Sequence, residues 1–390
     1  MRLAVVVGTR PEVIKTAPVI YELKKRPHLF EVKVIATAQH REMLDQALSL
    51  FHITPDYDLD LMCPGQSLAG FTSRVMESMH TALEEIAPDM IMVQGDTTTV
   101  FVASLAAFYW KIPVVHIEAG LRSYDLKNPF PEEANRRLTS ILTDIHCAPT
   151  PLAKTRLLNE GISPEKIIVT GNTVVDALHY ILNRPFSFEN TPLASIDLNQ
   201  YRTVLVTCHR RESLEHDLEN ILHALLDLVK KFPDIRIIYP VHLNPGVQGP
   251  VRRMLSHIDR IHLLPPLDYV TFINLLKHSS LILTDSGGLQ EEAPTLGKPL
   301  LVMRTVTERP EAFQHGLSKI IGTNRETIVQ EASRVLSSDE TTNAVPTGNP
   351  YGDGAASCRI VDALERWSRD KYPLLDPKCE FSYSGTSHLI

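Results

Sequence analysis

Short apolar runs rich in β-branched residues alternate with helix-length segments along nearly the whole chain. The first half carries LAVVVG (3–8), VKVIAT (32–37), MIMVQGD (90–96), PVVHIEAG (113–120) and KIIVTGN (166–172). Runs of this kind predict buried strands joined by crossover helices, and therefore a parallel sheet. From Tyr201 the rhythm starts again with TVLVTCHRR, IRIIYPVH, IHLLPPL, LILTDSGG, PLLVMR and KIIGT. A second α/β sheet is expected there. Between the two halves, ILNRPFSFENTPLASIDLNQ (181–200) is rich in Pro, Asn and Ser and marks a domain boundary. The expected organisation is one α/β domain over 1–180 and another over 201–350. After the turn NPYGDG (349–354), Ile360, Val361, Leu364 and Trp367 recur at helical spacing and predict a last helix over about 355–371. Residues 373–390 mix Pro, Ser, Gly and charge without period and read as a mobile tail.

Length and charge narrow the class. A chain of 390 residues exceeds the ~250–300 at which a single core stops growing, and 43% apolar residues suffice for two cores. The net charge of −7 argues against a general nucleic-acid or anionic-membrane binder. An anionic ligand must then be held by local basic side chains. Cysteines at 63, 147, 208, 358 and 379 show no CxxC or disulfide spacing and read as reduced cytosolic thiols. Asp58 and Asp60 in YDLDL are explained by a polar loop, so no metal is expected. The opening MRLAVVVGTRPE is too short in its apolar part for a signal peptide, and Val100–Trp110 falls short of the ~20 apolar residues of a membrane span. A soluble, cytoplasmic protein is expected.

Polar chemistry gathers at the carboxyl ends of the expected strands, where open α/β sheets bind ligands: GTRPE, QGD, HIEAG, TGN, CHRRE, PVHLNP and DSGG. Ordinary turns and caps explain one or two such ends easily but seven poorly. In LILTDSGGLQEEAP, Gly287 and Gly288 permit positive φ and close backbone approach, and the following helix aims its free N–H groups at the loop. That suits a phosphate, with Ser286 as a further donor and Glu291 or Glu292 available to a ribose. The plainer alternative makes Ser286 a helix N-cap. Thr9 and Glu12 fit a capping box with Pro11 in the first turn, which leaves Arg10 and Lys15 for phosphate oxygens.

Three acids follow. Asp96 is either an N-cap or a reacting acid, and Glu118 is a poorer cap. Glu132 and Arg136 lie one helical turn apart, with Glu133 and Arg137 repeating the pattern. A surface ion pair and a carboxylate oriented by arginine both fit. His209, Arg210 and Arg211 form a basic run suited to a diphosphate, and Cys208 reads as a buried small residue rather than a nucleophile. HIEAG lacks the downstream PCxxC of zinc deaminases and LGKP lacks the Ser or Thr of a Walker A loop, so both are set aside.

GTRPEVIK, TAQHREMLDQ, QGDTTT, HIEAGLRS, PFPEEANRR, TGNTVVDAL, HRRES, PVHLNP, TDSGGLQEEAP and TERPEA occur in this order over roughly residues 1–370. Together they resemble the non-hydrolysing UDP-N-acetylglucosamine 2-epimerases of bacteria and archaea. The resemblance implies two Rossmann-like domains with a cleft between them (glycosyltransferase-B-like), a last helix returning to the first domain, and a homodimer. It further implies interconversion of UDP-GlcNAc and UDP-ManNAc without a cofactor, by elimination and re-addition of UDP, for cell-surface polysaccharide. It assigns Asp96, Glu118 and Glu132 as active-site carboxylates with Arg136 orienting Glu132, and sets Lys15 and His209 toward the leaving group. Arg10, Ser286, Gly287, Gly288, Glu292 and Arg309 match UDP-binding positions, with Phe272 beside the uracil. Gln39, His40, Gln46, Gln66, Arg211 and His242 match motifs associated with activation by a second UDP-GlcNAc. Leu267 and Cys208 depart from the family pattern without touching the catalytic set. A glycosyltransferase of the same architecture, a hydrolysing epimerase and a non-catalytic nucleotide-sugar sensor are the rival readings. The sensor has no need of the three acids.

Overall fold

The computed structural model describes residues 1–38, 41–63, 65–208, 217–305, 307–315, 318–338 and 348–383. The chain forms two compact units, one of Met1–Tyr180 with Tyr351–Tyr383 and one built on Ile181–Pro350.

The first unit holds a seven-stranded sheet: β1 (Arg2–Val7), β2 (Glu31–Ala36), β3 (Tyr57–Asp58), β4 (Met90–Gln94), β5 (Val114–Ile117), β6 (Ile145–Ala148) and β7 (Ile167–Val169), in the order β3-β2-β1-β4-β5-β6-β7. Every recorded pairing is parallel. Leu3–Val7 and Met90–Val93 are at most 1% exposed because helices cover both faces, which is why these strands read as unbroken apolar runs. The edge strand β3 and the strand β6 were not among the expected ones. β3 is two residues long in a polar context, and in β6 the apolar run is broken by His146, which is nonetheless fully buried.

The crossovers are α1 (Arg10–Lys24), α2 (Arg41–Leu50), α3 (Leu68–Ile86), α4 (Thr98–Tyr109), α5 (Glu132–Leu142), α6 (Pro151–Asn159) and α7 (Thr173–Leu182). The sheet reverses direction between β1 and β4, so the crevice at the switch point is bounded by Gly8–Arg10 on one side and Gly95–Asp96 on the other. Gly8 is required here by packing, since a Cβ would lie 2.5 Å from both Thr37 Oγ1 and Thr99 Oγ1.

The second unit repeats the plan with β8 (Arg202–Thr207), β9 (Ile235–Pro240), β10 (Ile261–Leu264), β11 (Leu281–Thr284), β12 (Leu300–Val302) and β13 (Ser318–Ile320), in the order β10-β9-β8-β11-β12-β13. Its helices are α8 (Leu218–Lys231), α9 (Pro245–Leu255), α10 (Tyr269–His278), α11 (Leu289–Glu292) and α12 (Arg325–Ser337). The reversal falls between β8 and β11, and Asp285–Gly288 leave β11 at that point.

The last helix, α13 (Ala356–Trp367), packs on α1, where Arg26 pairs with Asp362 at 2.6 Å and Glu365 at 2.9 Å. Buried Asp176 accepts the Ser357 N–H at 2.8 Å and its hydroxyl at 2.6 Å, capping this helix from α7. The segment beyond it differs from the mobile tail expected from its composition. Leu374, Leu375 and Phe381 are buried, Phe381 N donates to Val169 O at 2.8 Å, and Lys154 pairs with Glu380 at 2.9 Å. Isolated anchors in an aperiodic stretch leave no pattern to read. Residues 384–390 lie outside the described residues.

Candidate active site

The strand ends of the first unit hold a connected set of charges. Glu118 follows β5 in a left-handed conformation, φ +68°, which costs a residue with a side chain of order 1–3 kcal/mol and persists only where surroundings enforce it. Three side chains meet one of its oxygens. Glu118 Oε2 accepts from Lys15 Nζ of α1, from Gln94 Nε2 at 3.0 Å and from Asn172 Nδ2 at 3.2 Å. Lys15, Gln94 and Asn172 are all buried, so the carboxylate is oriented by an ion pair and two amide donors.

Asp96 lies beyond β4. The cap of α4 is Thr97, whose hydroxyl accepts from Val100 N, so Asp96 is released from the capping role that was one of its two readings. Its Oδ2 receives Arg136 Nη2 and its carbonyl receives Asn135 Nδ2 at 3.0 Å. Arg136 also donates from Nη1 to Glu133 Oε2 at 2.9 Å, and Glu133 is wholly buried and accepts from Ser123 N at 2.9 Å. Arg136 of α5, whose expected partner was Glu132, is thus buried and links Asp96 to Glu133. Glu132 is half-buried at the start of the same helix, and Arg137 is exposed.

Two further groups fix the turn between β4 and α4. His116 Nε2 lies 2.7 Å from Gly95 O and must carry its proton there to donate. Burial pushes this imidazole down to about 4, so it is neutral at ordinary pH. Glu12 closes the capping box of α1 by accepting from Gly8 N at 2.5 Å and Thr9 N at 3.2 Å, and it accepts the Thr97 hydroxyl at 2.7 Å. Burial raises this carboxyl to about 7 despite those donors. Arg10 occupies the first helical position of α1 and is half-buried.

In the second unit the glycine pair departs from expectation. Neither Gly287 nor Gly288 is left-handed. A Cβ on Gly287 would meet Arg309 Nη1 at 2.8 Å and Glu308 Oε1 at 3.1 Å, so those side chains would have to shift, whereas Gly288, helical at φ −61°, faces open space. The α11 helix is a single turn continued by a 3-10 turn, so its dipole is weaker than a long helix would supply. Gly288 is its N-cap and Ser286 is not; Ser286 N donates to Thr284 Oγ1 at 2.9 Å. Arg309 supplies the positive charge beside the loop. Its Nε donates to Glu291 at 2.5 Å and its Nη1 to Glu308, which also takes Arg304 Nη1 at 3.3 Å. Glu292 accepts the Tyr269 hydroxyl at 2.9 Å. Phe272 is half-buried on α10.

Of the positions matched to a second nucleotide-sugar site, Gln46 is exposed on α2, and Gln66 accepts from Arg74 and from Cys63 N at 3.2 Å. His242 is exposed and accepts Asn244 N at 3.2 Å. His209, Arg211, Gln39 and His40 lie outside the described residues. Gln94, Asn172, Asn135 and Tyr269 are site residues that the sequence reading does not name, whereas Glu133 enters it only as half of a second surface pair with Arg137. The first two stand inside the strand-end motifs QGD and TGN, and that placement is the signal that could have found them. Among the described residues there is no group of three side chains suited to a metal ion and no helix long and apolar enough to cross a membrane.

Fold and site together define a class: paired α/β units of dinucleotide-binding strand order, with oriented acids at one switch point and an oriented arginine at the other. The family model for UDP-N-acetylglucosamine 2-epimerase matches residues 21–365, and the chain belongs to that family. It is 50% identical to the UDP-N-acetylglucosamine 2-epimerase of Escherichia coli K12 and 51% identical to that of Yersinia pestis, in each case over 94% of this chain and 98% of the relative. The Neisseria meningitidis enzyme solved with UDP-GlcNAc superimposes with a TM-score of 0.88 at 47% identity, covering 94% of this chain and 100% of that one. The Methanocaldococcus jannaschii enzyme solved with UDP-GlcNAc and UDP gives 0.80 at 34% identity, covering 94% and 99%.

Proposed function

We propose that the chain interconverts UDP-GlcNAc and UDP-ManNAc by inverting C2 of the sugar. The C2 proton is not α to a carbonyl, so direct deprotonation is prohibitively hard. Elimination avoids it: a carboxylate removes the C2 proton as the C1–O bond breaks, the bonding pair leaves with the β-phosphate oxygen of UDP, and 2-acetamidoglucal remains. UDP then adds back to C1 as a proton is delivered to the opposite face of C2. Such a route needs a positioned base, a second proton carrier and stabilisation of the departing diphosphate.

The observation that carries the reading is the pair of oriented acids, Glu118 with its three donors and Asp96 with Arg136, at adjacent strand ends. In this reading Asp96 and Glu118 or Glu132 carry the protons, with Lys15 and His209 answering the leaving charge. Arg10, Ser286, Gly287, Gly288, Glu292, Phe272 and Arg309 hold UDP. No cofactor takes part. The finer assignments belong to the same proposal: a cytoplasmic homodimer, product directed to cell-surface polysaccharide, and activation by a second UDP-GlcNAc through Gln39, His40, Gln46, Gln66, Arg211 and His242. A velocity curve hyperbolic in substrate, with UDP-ManNAc accepted alone, would remove the activation.

Proton NMR of UDP-GlcNAc incubated with the protein in D2O tests the reaction. UDP-ManNAc carrying deuterium at C2 is the expected product. Free ManNAc with UDP would indicate the hydrolysing reaction, and an unchanged spectrum would favour a transferase lacking its acceptor.

A further inference from the structure

Asn172 is 2% exposed and reaches Glu118 from a turn that the C-terminal segment braces. The turn follows β7. Its Gly171 is left-handed at φ +83°, and a Cβ there would meet Gly352 Cα at 3.3 Å and Phe381 Cγ at 3.6 Å. Asn172 N donates to Tyr351 O at 2.5 Å, and Val174 N donates to Asn172 Oδ1 at 3.0 Å, which leaves Nδ2 aimed at the acid. On one side, then, the turn rests on Tyr351–Gly352, and on the other it rests on Phe381.

Phe381 is itself tied down from three directions. Its N–H extends the end of β7 by donating to Val169 O, and Lys154 holds the preceding Glu380 at 2.9 and 3.0 Å. Arg359 on α13 then couples segment to turn: Nε donates to Cys379 O at 2.8 Å and Nη1 to Thr170 O at 3.1 Å, while Asp353 fixes the guanidinium at 2.7 and 2.6 Å. The same guanidinium lies 5.8 Å from the Phe381 ring centroid.

We propose that residues 373–383 act as a strap that positions Asn172 and, through it, the Glu118 carboxylate. The inference rests on the reading of Glu118 as an active-site acid. Three donors on one oxygen hold the carboxylate in a single orientation and favour its charged form. Loss of the Asn172 donor removes one of the three, loosens the orientation of the group and raises the pH at which it protonates. Release of the strap does the same at one remove, by letting the turn shift.

The test uses full-length variants assayed for UDP-GlcNAc epimerisation across pH. Asn172→Ala and the strap pair Glu380→Gln/Phe381→Ala should each lower kcat by about 10- to 100-fold, the scale of a small misplacement, with KM little changed. In both, the acidic limb of the kcat profile should move to higher pH. The triple variant should be no slower than Asn172→Ala alone, because the two act through one contact. A strap pair with wild-type kcat and acidic limb, or a triple variant whose losses multiply, overturns the proposal. If circular dichroism shows the strap pair unfolded, Lys154→Gln with the same readouts decides, and an unshifted limb there overturns it too. Glu118→Gln with full activity would instead refute the reading of Glu118, a result distinct from any of these.

Discussion

The two sheets share one strand order and one place for polar residues, yet they hold opposite charges at that place. In the first unit a carboxylate stands at the centre and a lysine with two amides surrounds it. In the second a guanidinium stands at the centre and two glutamates surround it. The lesson is that the topology fixes only where a charge is presented, while the ring of partners decides its sign and orientation. A buried charge is tolerated in either unit because its neighbours compensate it.

The comparison breaks most sharply at the acids. Asp96→Asn keeps shape and most hydrogen bonds but cannot take up a proton, and kcat should fall by about 10²- to 10⁴-fold with thermal stability nearly unchanged. Rates from NMR beside a calorimetric melt would show it; a large loss of stability with modest loss of rate would make Asp96 structural. Arg309→Met should behave differently, weakening UDP binding and lowering stability together. It removes the Arg309 partner from buried Glu291 and Glu308, and breaking a buried ion pair costs about 3–5 kcal/mol. Titration calorimetry with UDP and urea unfolding separate the two effects.

Glu12 adds a pH signature to the first unit alone. Its carboxyl is raised from 4.5 to about 7 by burial, so folding favours the protonated form. The stabilisation is complete below the unfolded value of 4.5 and is lost as pH rises through 7, about 3 kcal/mol in all. Glu12→Gln should flatten that slope in urea melts between pH 5 and 7.5; an unchanged slope would assign it to other groups. The smallest effects concern glycines. Gly8→Ala, clashing with two threonine hydroxyls, should cost about 1–3 kcal/mol. Gly288→Ala, helical and unobstructed, should gain about 0.4–1 kcal/mol while weakening UDP affinity. Melts of both, with and without UDP, check the contrast.

Strands buried on both faces were legible because they are apolar throughout, and their polar ends marked the switch points. What the sequence could not express is partner choice. The spacing of Glu132, Glu133, Arg136 and Arg137 is compatible with two ion pairs on one helix face, but Arg136 reaches across to Asp96, a residue forty positions away. Likewise Asp96 and Thr97 are both good caps, and only the path of the chain shows that Thr97 is the one used. The paired glycines suggested positive φ, but neither adopts it, and only Gly287 lies close to Arg309. The anchors of residues 373–383 are single side chains meeting distant elements, and no periodicity announces them.

The left-handed backbone at Glu118 has an evolutionary corollary. Glycine or asparagine would occupy φ +68° with less strain, but either would take the Glu118 carboxylate away from buried Lys15. A glutamate here means that this chain carries backbone strain of order 1–3 kcal/mol that glycine would not. Under the proposed function, a descendant that kept the architecture but needed no acid here would be released from that compromise. The identity of this one residue would then separate working lineages from those that have taken up another role.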